Sequence, residues 1–499
     1  MATIEYSEQQ RAIFWWFSAG TKFTESAAPV DPRSNVVIRA RAGTGKTFTV
    51  VEGINHAPER KILMAAFNKR IAEELKQKIK NPSAEAKTLH SVGCGFVYRN
   101  WDGATLDTER GERLARRSLP AGAPDGVVFL VKRLAAIGKN ACPFPEPGDL
   151  AELAYQFDLD PDEYMEDMGW NVDRIAVAAE KAMDLACEKD GTFDFDDMVF
   201  VPVRNGWIFP KYDMVVIDEA QDMNASQLIL AMKVCKKGGR IAVVGDDRQA
   251  IYGFRGADSN SIDRLKGQLV AGELGLTTTY RCPRKVVEMA RRIVPDYTAA
   301  PTAPEGVVRD AQFEKMIEEA APGDFVLSRK NAPLTKVCLR LIRLNKRAMI
   351  EGKDIGTGLL NVVRKVKGRS VPDFLGKLAK WEERTRARLL KTGKKAAEKK
   401  AEFVGDQAEC LRAIAEVATS VSDLENRVKD MFQETAGGKH DYIVCSSVHK
   451  AKGLERKRVW GLVETLYPGG RHANIEEQNI AYVMITRAQQ EFISVHGIS

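Results

Sequence analysis

A short apolar run that leads directly into a glycine-rich turn constrains the fold of this chain more than any other feature. Residues 35–40 read Asn-Val-Val-Ile-Arg-Ala, which is typical of a buried strand, and residues 41–47 read Arg-Ala-Gly-Thr-Gly-Lys-Thr. Phe48, Val51 and Ile54 then recur at helical spacing. A glycine loop between a strand and a helix N-terminus directs backbone N–H groups and the positive end of the helix dipole at an anion. The sequence therefore predicts a phosphate site on a strand, loop and helix of an α/β fold.

The polar residues of this loop suit a nucleoside triphosphate. Lys46 is expected to contact the β- and γ-phosphates, and the Thr47 hydroxyl to bind Mg²⁺. The strict pattern G-x-x-x-x-G-K-[ST] has glycine where this chain has Ala40, so the loop alone would also be consistent with a glycine-rich turn that binds no nucleotide. We expect ATP and Mg²⁺ as cofactors, and the predicted nucleotide-binding loop residues are Ala42, Gly43, Thr44, Gly45, Lys46 and Thr47.

A second apolar strand, residues 213–217, ends in a pair of acids. Asp218 is expected to bind Mg²⁺, directly or through water, and Glu219 to take the proton from the attacking water. Carboxylates also favour helix N-termini, so this pair taken alone could be no more than a helix start. Its occurrence downstream of a Lys-Thr phosphate loop favours the metal and base roles.

Together the two segments resemble motifs I and II of superfamily 1 helicases of the UvrD/Rep/PcrA group. Five further blocks resemble the remaining motifs of that group in the expected order. They are residues 6–11 (the Q motif), 241–257 (motif III), 276–281 (motif IV), 446–455 (motif V) and 481–487 (motif VI). Seven ordered blocks make coincidence negligible.

The resemblance implies roles around the nucleotide. Gln249 is expected to contact the γ-phosphate, and Arg281 and Arg487 to act as arginine fingers from a second lobe, since phosphoryl transfer needs cations on the equatorial oxygens. A surface ion pair is the alternative for Arg281. Around the adenosine, the resemblance implies that Gln10 contacts the adenine edge, Tyr280 stacks on the base and Glu455 reaches the ribose. Gly453, the glycine of motif V, is also expected to contact the nucleotide.

The resemblance also implies a track for single-stranded DNA, where aromatic faces stack on bases and polar groups hold the backbone. One aromatic residue of the motif III pair could instead belong to the core, and a lone histidine is often structural. The predicted nucleic-acid residues are Asn68, Lys69, Thr88, His90, Tyr252, Phe254, Arg255 and His449.

Alternation of strands and helices predicts an α/β fold of two RecA-like P-loop lobes with parallel sheets, each carrying a mainly helical insertion. The predicted boundaries are 1–95 and 191–271 for the first lobe, 96–190 for its insertion, 272–351 and 439–499 for the second lobe, and 352–438 for a short basic insertion. Residues 381–402 are the most charge-biased stretch, consistent with a solvated helix or with a face that contacts duplex phosphates.

Composition limits the class of protein and its possible partners but does not indicate a function. A net charge of +7 on 499 residues permits a polyanionic partner without requiring one. The 8 cysteines form no CxxC pair, which indicates reduced thiols and no zinc site. No stretch approaches the roughly 20 apolar residues of a membrane span, and the N-terminal residues lack the pattern of a secretory signal. We therefore expect an intracellular, cytoplasmic protein without a membrane partner.

Two functions share all of these motifs. The first is an ATP-dependent DNA helicase that moves 3′ to 5′ on single-stranded DNA and acts at junctions with duplex. The second is a single-strand translocase that remodels protein–DNA complexes, or drives a partner nuclease, without unwinding duplex itself. A loading or nuclease partner is consistent with both, and the sequence of the insertions does not decide between them.

Overall fold

A computed structural model describes residues 5–23, 30–157, 159–161, 163–251, 261–390, 395–433, 441–466 and 474–498. The chain divides into two compact units. The first unit comprises Met1–Arg41 and Gly45–Thr277, and the second comprises Ala42–Thr44 and Thr278–Ser499.

The first unit contains a six-stranded parallel sheet in the order β3-β2-β6-β7-β1-β8, and a two-stranded parallel sheet of β4 and β5. Its strands are β1 (Val36–Ala40), β2 (Ile62–Ala66), β3 (Ala84–Thr88), β4 (Thr105–Leu106), β5 (Thr192–Phe193), β6 (Tyr212–Ile217), β7 (Cys235–Gly245) and β8 (Gly272–Leu276). Its helices are α1 (Glu8–Phe17), α2 (Lys46–His56), α3 (Lys69–Lys78), α4 (Leu89–Asn100), α5 (Arg110–Ser118), α6 (Asp125–Ala141), α7 (Asp149–Gln156), α8 (Glu163–Asp167), α9 (Val172–Ala186), α10 (Asp197–Arg204), α11 (Ala225–Lys233) and α12 (Ser261–Leu269).

Continuous apolar strands explain the larger sheet of the first unit. Side chains alternate between its two faces, so Val36 and Ile38 enter one core layer while Val37 enters the other. Both faces are covered, and this is why β2 is apolar along its length, and β1 apart from Arg39, rather than at every second residue. The adjacent strands β6, β7 and β1 end at the same edge, where parallel α/β sheets usually bind ligands.

Helices α5 to α9 lie within the predicted first insertion and pack around a hydrophobic core to which α4 and α10 also contribute residues. A buried cluster of charged side chains, Arg110, Lys139 and Asp197, connects α5 and α6 to α10. Arg110 lies 2.5 Å from one oxygen of Asp197, and Lys139 lies 2.7 Å from the other. All three side chains are at most 4% exposed, so removing one partner would leave an uncompensated buried charge.

The second unit contains a seven-stranded parallel sheet in the order β11-β17-β16-β12-β15-β13-β14, and a two-stranded parallel sheet of β9 and β10. Its strands are β9 (Thr278–Thr279), β10 (Thr298–Ala299), β11 (Val307–Gln312), β12 (Phe325–Ser328), β13 (Ala348–Glu351), β14 (Phe432–Gln433), β15 (Ile443–Ser447), β16 (Arg456–Leu462) and β17 (Ala488–His496). Its helices are α13 (Arg284–Arg291), α14 (Phe313–Glu319), α15 (Asn331–Arg343), α16 (Lys353–Val366), α17 (Val371–Leu390), α18 (Lys395–Ala415), α19 (Val421–Met431) and α20 (Ile475–Ile485).

The predicted fold class, α/β with two parallel-sheet lobes and mainly helical insertions, is confirmed. One boundary needs correction. The second lobe was expected to start at residue 272, but Gly272–Leu276 pairs with Val36–Ala40 as the edge strand of the first sheet. Gly272 fits there because Val30 lies against it, and a Cβ at residue 272 would lie 2.5 Å from a Val30 methyl. The chain leaves the first sheet only after Leu276.

Candidate functional site

The glycine-rich loop begins where β1 ends, and its conformation depends on glycine at two positions. Gly43 and Gly45 have φ values of 69° and 76°, in the left-handed region that side chains disfavour. Gly45 is the N-cap of α2 and offers no side chain to its N–H groups, which suits an anion at this helix end. Ala40 is not part of the turn. It is the last residue of β1, pairs with Leu276 and is buried, so the strand does not require glycine at this position.

Lys46 begins α2 and contacts both acids that follow β6. Its Nζ lies 3.5 Å from Asp218 Oδ1 and forms an ion pair with Glu219. Burial opposes the positive charge of Lys46, but the carboxylates of Glu219 and Asp218 outweigh burial and raise its pKa. Glu219 itself has a φ of 53°, a strained conformation for a residue with a side chain. The loop lysine is therefore charged and held beside the predicted general base.

The residues expected to bind Mg²⁺ fit that ion. Burial raises the pKa of Asp218 although Lys46 acts in the opposite direction, so a nearby divalent cation would stabilise its ionised form. The Thr47 hydroxyl adds a second hard oxygen ligand, the kind that Mg²⁺ prefers. Among the described residues, no group of three or more His, Cys, Asp or Glu side chains is arranged as a metal site. The remaining ligands would have to come from water and the nucleotide phosphates.

Gln249 lies at the end of β7, beside the acids of β6. Its Nε2 donates to Asp246 Oδ2 over 2.8 Å, and the backbone N–H of Asp246 donates to Gln221 Oε1 over 3.1 Å. The Nε2 of Gln221 in turn donates to Glu219 over 2.6 Å. Polar contacts thus connect the expected base with the expected γ-phosphate contact.

In the second unit, Arg281 and Arg487 differ in their partners. Arg281 forms an ion pair with Glu455. Arg487 is 1% exposed and donates to the backbone oxygens of Val483 and Leu454, and no carboxylate pairs with it in the part of the chain that the structure describes. Burial, and then the charge of Arg281, lowers the pKa of Arg487 to about 10. A buried guanidinium without a carboxylate is suited to an incoming anion.

The second unit also includes the loop residues Ala42–Thr44, held by tyrosines. The Tyr482 hydroxyl accepts a hydrogen bond from the Ala42 N–H over 3.0 Å, and the Tyr297 hydroxyl donates to the Ala42 oxygen over 2.9 Å. A Cβ at Gly43 would lie 2.5 Å from that of Arg281. Sequence reasoning missed both tyrosines. Tyr482 lies inside the motif VI block, but nothing in the sequence distinguishes Tyr297.

The residues expected around adenosine differ in their contacts and in their exposure. Gln10 is buried in a capping box at the start of α1, where its Oε1 accepts from the Ser7 N–H and its Nε2 donates to Thr49. Tyr280 is 54% exposed, as a base-stacking ring would need to be. Glu455 is bound to Arg281, and Gly453 has a φ of 84° in the turn before it. The adenosine roles of these residues remain predictions.

Four of the predicted nucleic-acid residues flank strand ends of the first unit. Asn68 and Thr88 are the N-caps of α3 and α4, and Lys69 is exposed on the first turn of α3. His90 is half-buried, and burial lowers its pKa although the charge of Asp196 acts against this.

The remaining predicted nucleic-acid residues lie elsewhere. His449 follows β15 in the second unit. Tyr252, Phe254 and Arg255 lie outside the described residues. Phe195, which is not among the predicted residues, is 57% exposed and precedes the Asp196 that acts on His90.

Comparison with known proteins identifies two matching family models. The model described as the UvrD/REP helicase N-terminal domain matches residues 21–269. The model described as the UvrD-like helicase C-terminal domain matches residues 345–496. Together the two matches cover most of the chain, and they include the phosphate loop in the first match and both Glu455 and Arg487 in the second.

Relatives with curated names are similar at low identity. F-box DNA helicase protein 1 of Schizosaccharomyces pombe is 24% identical over 93% of this chain and 56% of its own length. DNA helicase II of Escherichia coli is 23% identical over 53% of this chain and 38% of its own length. The ATP-dependent DNA helicase PcrA of Staphylococcus aureus is 24% identical over 54% of this chain and 39% of its own length. The chain therefore spans about half or less of the length of these relatives. Within the described residues, no helix is both long and apolar enough to span a membrane.

Proposed function

The chain belongs to the UvrD/Rep helicase family, and on that premise we propose that it is an ATP-driven motor that moves along single-stranded DNA and unwinds duplex. The observation that carries this proposal is the position of Lys46, at the head of α2 and in contact with Asp218 and Glu219. A phosphate cation, a metal ligand and a base at the ends of two parallel strands form the minimal set for hydrolysis of a phosphoanhydride.

The first unit supplies groups for binding and for proton transfer. Lys46 exchanges its carboxylate partners for phosphate oxygens, and this exchange releases Glu219 to accept a proton from water. Mg²⁺, when bound by Thr47 and Asp218, would neutralise charge on the phosphates. Gln249, whose amide nitrogen donates to Asp246, positions the water or the γ-phosphate.

The second unit supplies positive charge. Arg487 is buried with no carboxylate partner among the described residues, and Arg281 is held by the single carboxylate of Glu455. Preorganised cations of this kind stabilise the charge that develops on a transferred phosphoryl group. We propose that both contact the phosphates during hydrolysis, and that movement is 3′ to 5′, as in the helicases that the motifs resemble.

The first experiment tests the motor. Lys46→Ala should reduce single-strand-stimulated ATP hydrolysis by at least about 100-fold, because a phosphate cation is lost. Lys237→Ala is the matched control, since Lys237 is exposed near the start of β7, far along that strand from Gly245. Full activity in the Lys46 variant would refute the proposal. It would also be refuted if the rate of ATP hydrolysis by the wild-type chain did not change when single-stranded DNA was added.

A second candidate is a translocase that displaces proteins from single strands without opening duplex. One observation favours it: in the described part of the chain, helices α16 to α19 of the second insertion share a hydrophobic core with the second sheet, which ties this insertion to the motor lobe. Duplexes with a 3′ tail, duplexes with a 5′ tail and single strands blocked by bound streptavidin separate the two functions. Unwinding of the 3′-tailed duplex supports the helicase. Streptavidin displacement without unwinding supports the translocase.

A further inference from the structure

We propose that Arg41 is a positioning residue for hydrolysis: it holds Asp246 in place, and Asp246 in turn fixes the orientation of the Gln249 side chain. This inference rests on the proposed ATP hydrolysis at the same site. Arg41 is the first residue after β1, inside the glycine-rich loop, and neither the loop pattern nor the expected phosphate contacts assign it a role.

Arg41 is directed into the protein. Its side chain is 8% exposed, and its Nη1 lies 3.0 Å from Asp246 Oδ1 and 2.8 Å from Asp247 Oδ1. Its backbone N–H donates to the Leu276 oxygen over 2.8 Å, which fixes the start of the loop against β8. The Arg41 charge is thus committed to two carboxylates at the end of β7, whereas the Lys46 charge lies beside the acids at the end of β6.

Asp246 connects several groups around it. Its side chain is 1% exposed, Oδ1 also accepts from the Arg248 N–H over 3.1 Å, and Oδ2 accepts from Gln249 Nε2 over 2.8 Å. Burial raises the pKa of Asp246, and Arg41 is the first group that opposes this effect. Without Arg41, this carboxylate would have to bind a proton or attract Lys46, whose charge it already influences.

The orientation of Gln249 follows from this arrangement. Because Asp246 holds the amide nitrogen, the amide oxygen is fixed on the other side of the carboxamide. A fixed acceptor oxygen is what a residue needs to orient an attacking water molecule. A protonated or displaced Asp246 would no longer define this orientation, and small displacements of positioning groups are costly in rate.

Asp247 pairs with a second arginine, whereas among the described residues Asp246 pairs with Arg41 alone. Arg39 Nη1 lies 2.9 Å from Asp247 Oδ1, and Arg39 also contacts Asp263 and Glu273. The contact of Arg41 with Asp247 is therefore duplicated, but its contact with Asp246 is not. Arg39→Ala is for this reason a matched control, since it removes a partly buried arginine from the same ion network without touching Asp246.

The experiment measures single-strand-stimulated ATP hydrolysis and ATP binding for the full chain carrying Arg41→Ala, Arg41→Lys or Arg39→Ala. Arg41→Ala should lower kcat by about 10- to 100-fold while KM for ATP changes by less than about threefold, because the loss lies in positioning and not in binding. Arg41→Lys should recover part of kcat, and Arg39→Ala should stay within about threefold of wild type. An unchanged kcat in Arg41→Ala, or a rise in KM as large as the fall in kcat, would overturn the inference.

A double variant separates positioning from stability. Arg41→Ala with Asp246→Asn removes the unpaired buried charge, so its melting temperature should return toward that of the wild type while kcat stays low. Recovery of kcat together with the melting temperature would show a purely structural ion pair and would refute the role of Arg41. If the wild-type chain hydrolyses no ATP, the proposed function fails. If it hydrolyses ATP and Arg41→Ala does so equally well, only this inference fails.

Discussion

Gly245, the last residue of β7, should not tolerate a methyl group. A Cβ at residue 245 would lie 2.4 Å from Gln221 Oε1 and 2.9 Å from Ile262 Cδ1. Gln221 is fully buried, and its carboxamide links Glu219 to the backbone of Asp246. Gly245→Ala must therefore displace that carboxamide, which makes it a test of packing and of catalysis together.

The magnitude follows from the contacts that would be lost. Moving Gln221 breaks the 3.1 Å hydrogen bond from the Asp246 N–H and the 2.6 Å hydrogen bond to Glu219. An unsatisfied buried N–H and an overpacked core each cost about 1–3 kcal/mol. We expect Gly245→Ala to lower the free energy of unfolding of the first unit by about 2–4 kcal/mol, which corresponds to about 5–10 °C in melting temperature. Single-strand-stimulated kcat should fall by about tenfold or more, because Glu219 and Asp246 lose a shared anchor.

Thermal unfolding and ATP turnover of the same preparations provide the assay. Gly275→Ala in β8, the edge strand of the same sheet, is the control, since its added Cβ would meet nothing closer than 3.9 Å. Gly245→Ala combined with Gln221→Ser should regain part of the melting temperature but not kcat, because space is restored and the hydrogen bonds are not. A Gly245→Ala protein that melts within about 1 °C of wild type with unchanged kcat would refute this account of the network.

Three further outcomes are expected. Arg487→Gln should reduce kcat by about 1,000-fold without lowering the melting temperature, because it removes a buried charge that no described carboxylate balances; ATP binding should persist in an equilibrium assay. Phe195→Ala should weaken binding of single-stranded DNA by about 5- to 100-fold, the range for one lost stacking contact, with unstimulated ATP hydrolysis unchanged. For Glu85, burial acts to raise the pKa, but hydrogen bonds from Lys87 and Tyr212 lower it to about 2. The stability this gives is present above the unfolded pKa near 4.5 and is lost as pH falls toward 2, so Glu85→Gln should flatten acid unfolding in that range.

Local patterns predicted the elements on which the site depends. The apolar run at 35–40 became β1 at Val36–Ala40, and the run at 213–217 became β6 at Tyr212–Ile217. Such runs are informative because strands of a covered parallel sheet are apolar on both faces. Asp218, Glu219 and Lys46 could be placed together from sequence because each directly follows a strand or a glycine loop.

Long-range partners could not be predicted in the same way. Arg41 and Asp246 are 205 residues apart, and neither carries a local sign of the other. The boundary at residue 272 was misplaced for a related reason, since only the pairing of Gly272 with Val36 shows that β8 completes the first sheet. Gln10 was assigned to adenine by resemblance, whereas its capping box depends on a backbone geometry that the motif does not specify.

The unbalanced charges of the two units explain why these residue sets suit Mg²⁺ and a nucleotide. In the first unit, Lys46 faces two carboxylates, Asp218 and Glu219, and the nearby Asp246 is already satisfied by Arg41. Negative charge is left in excess there, and a divalent cation would balance it. In the second unit, Glu455 pairs with Arg281 and no carboxylate among the described residues pairs with Arg487, so positive charge is in excess, and phosphate oxygens would balance it. Because Mg²⁺ would offset the repulsion between the phosphates of ATP and the carboxylates of Asp218 and Glu219, Mg²⁺ and ATP should each stabilise the chain less separately than together.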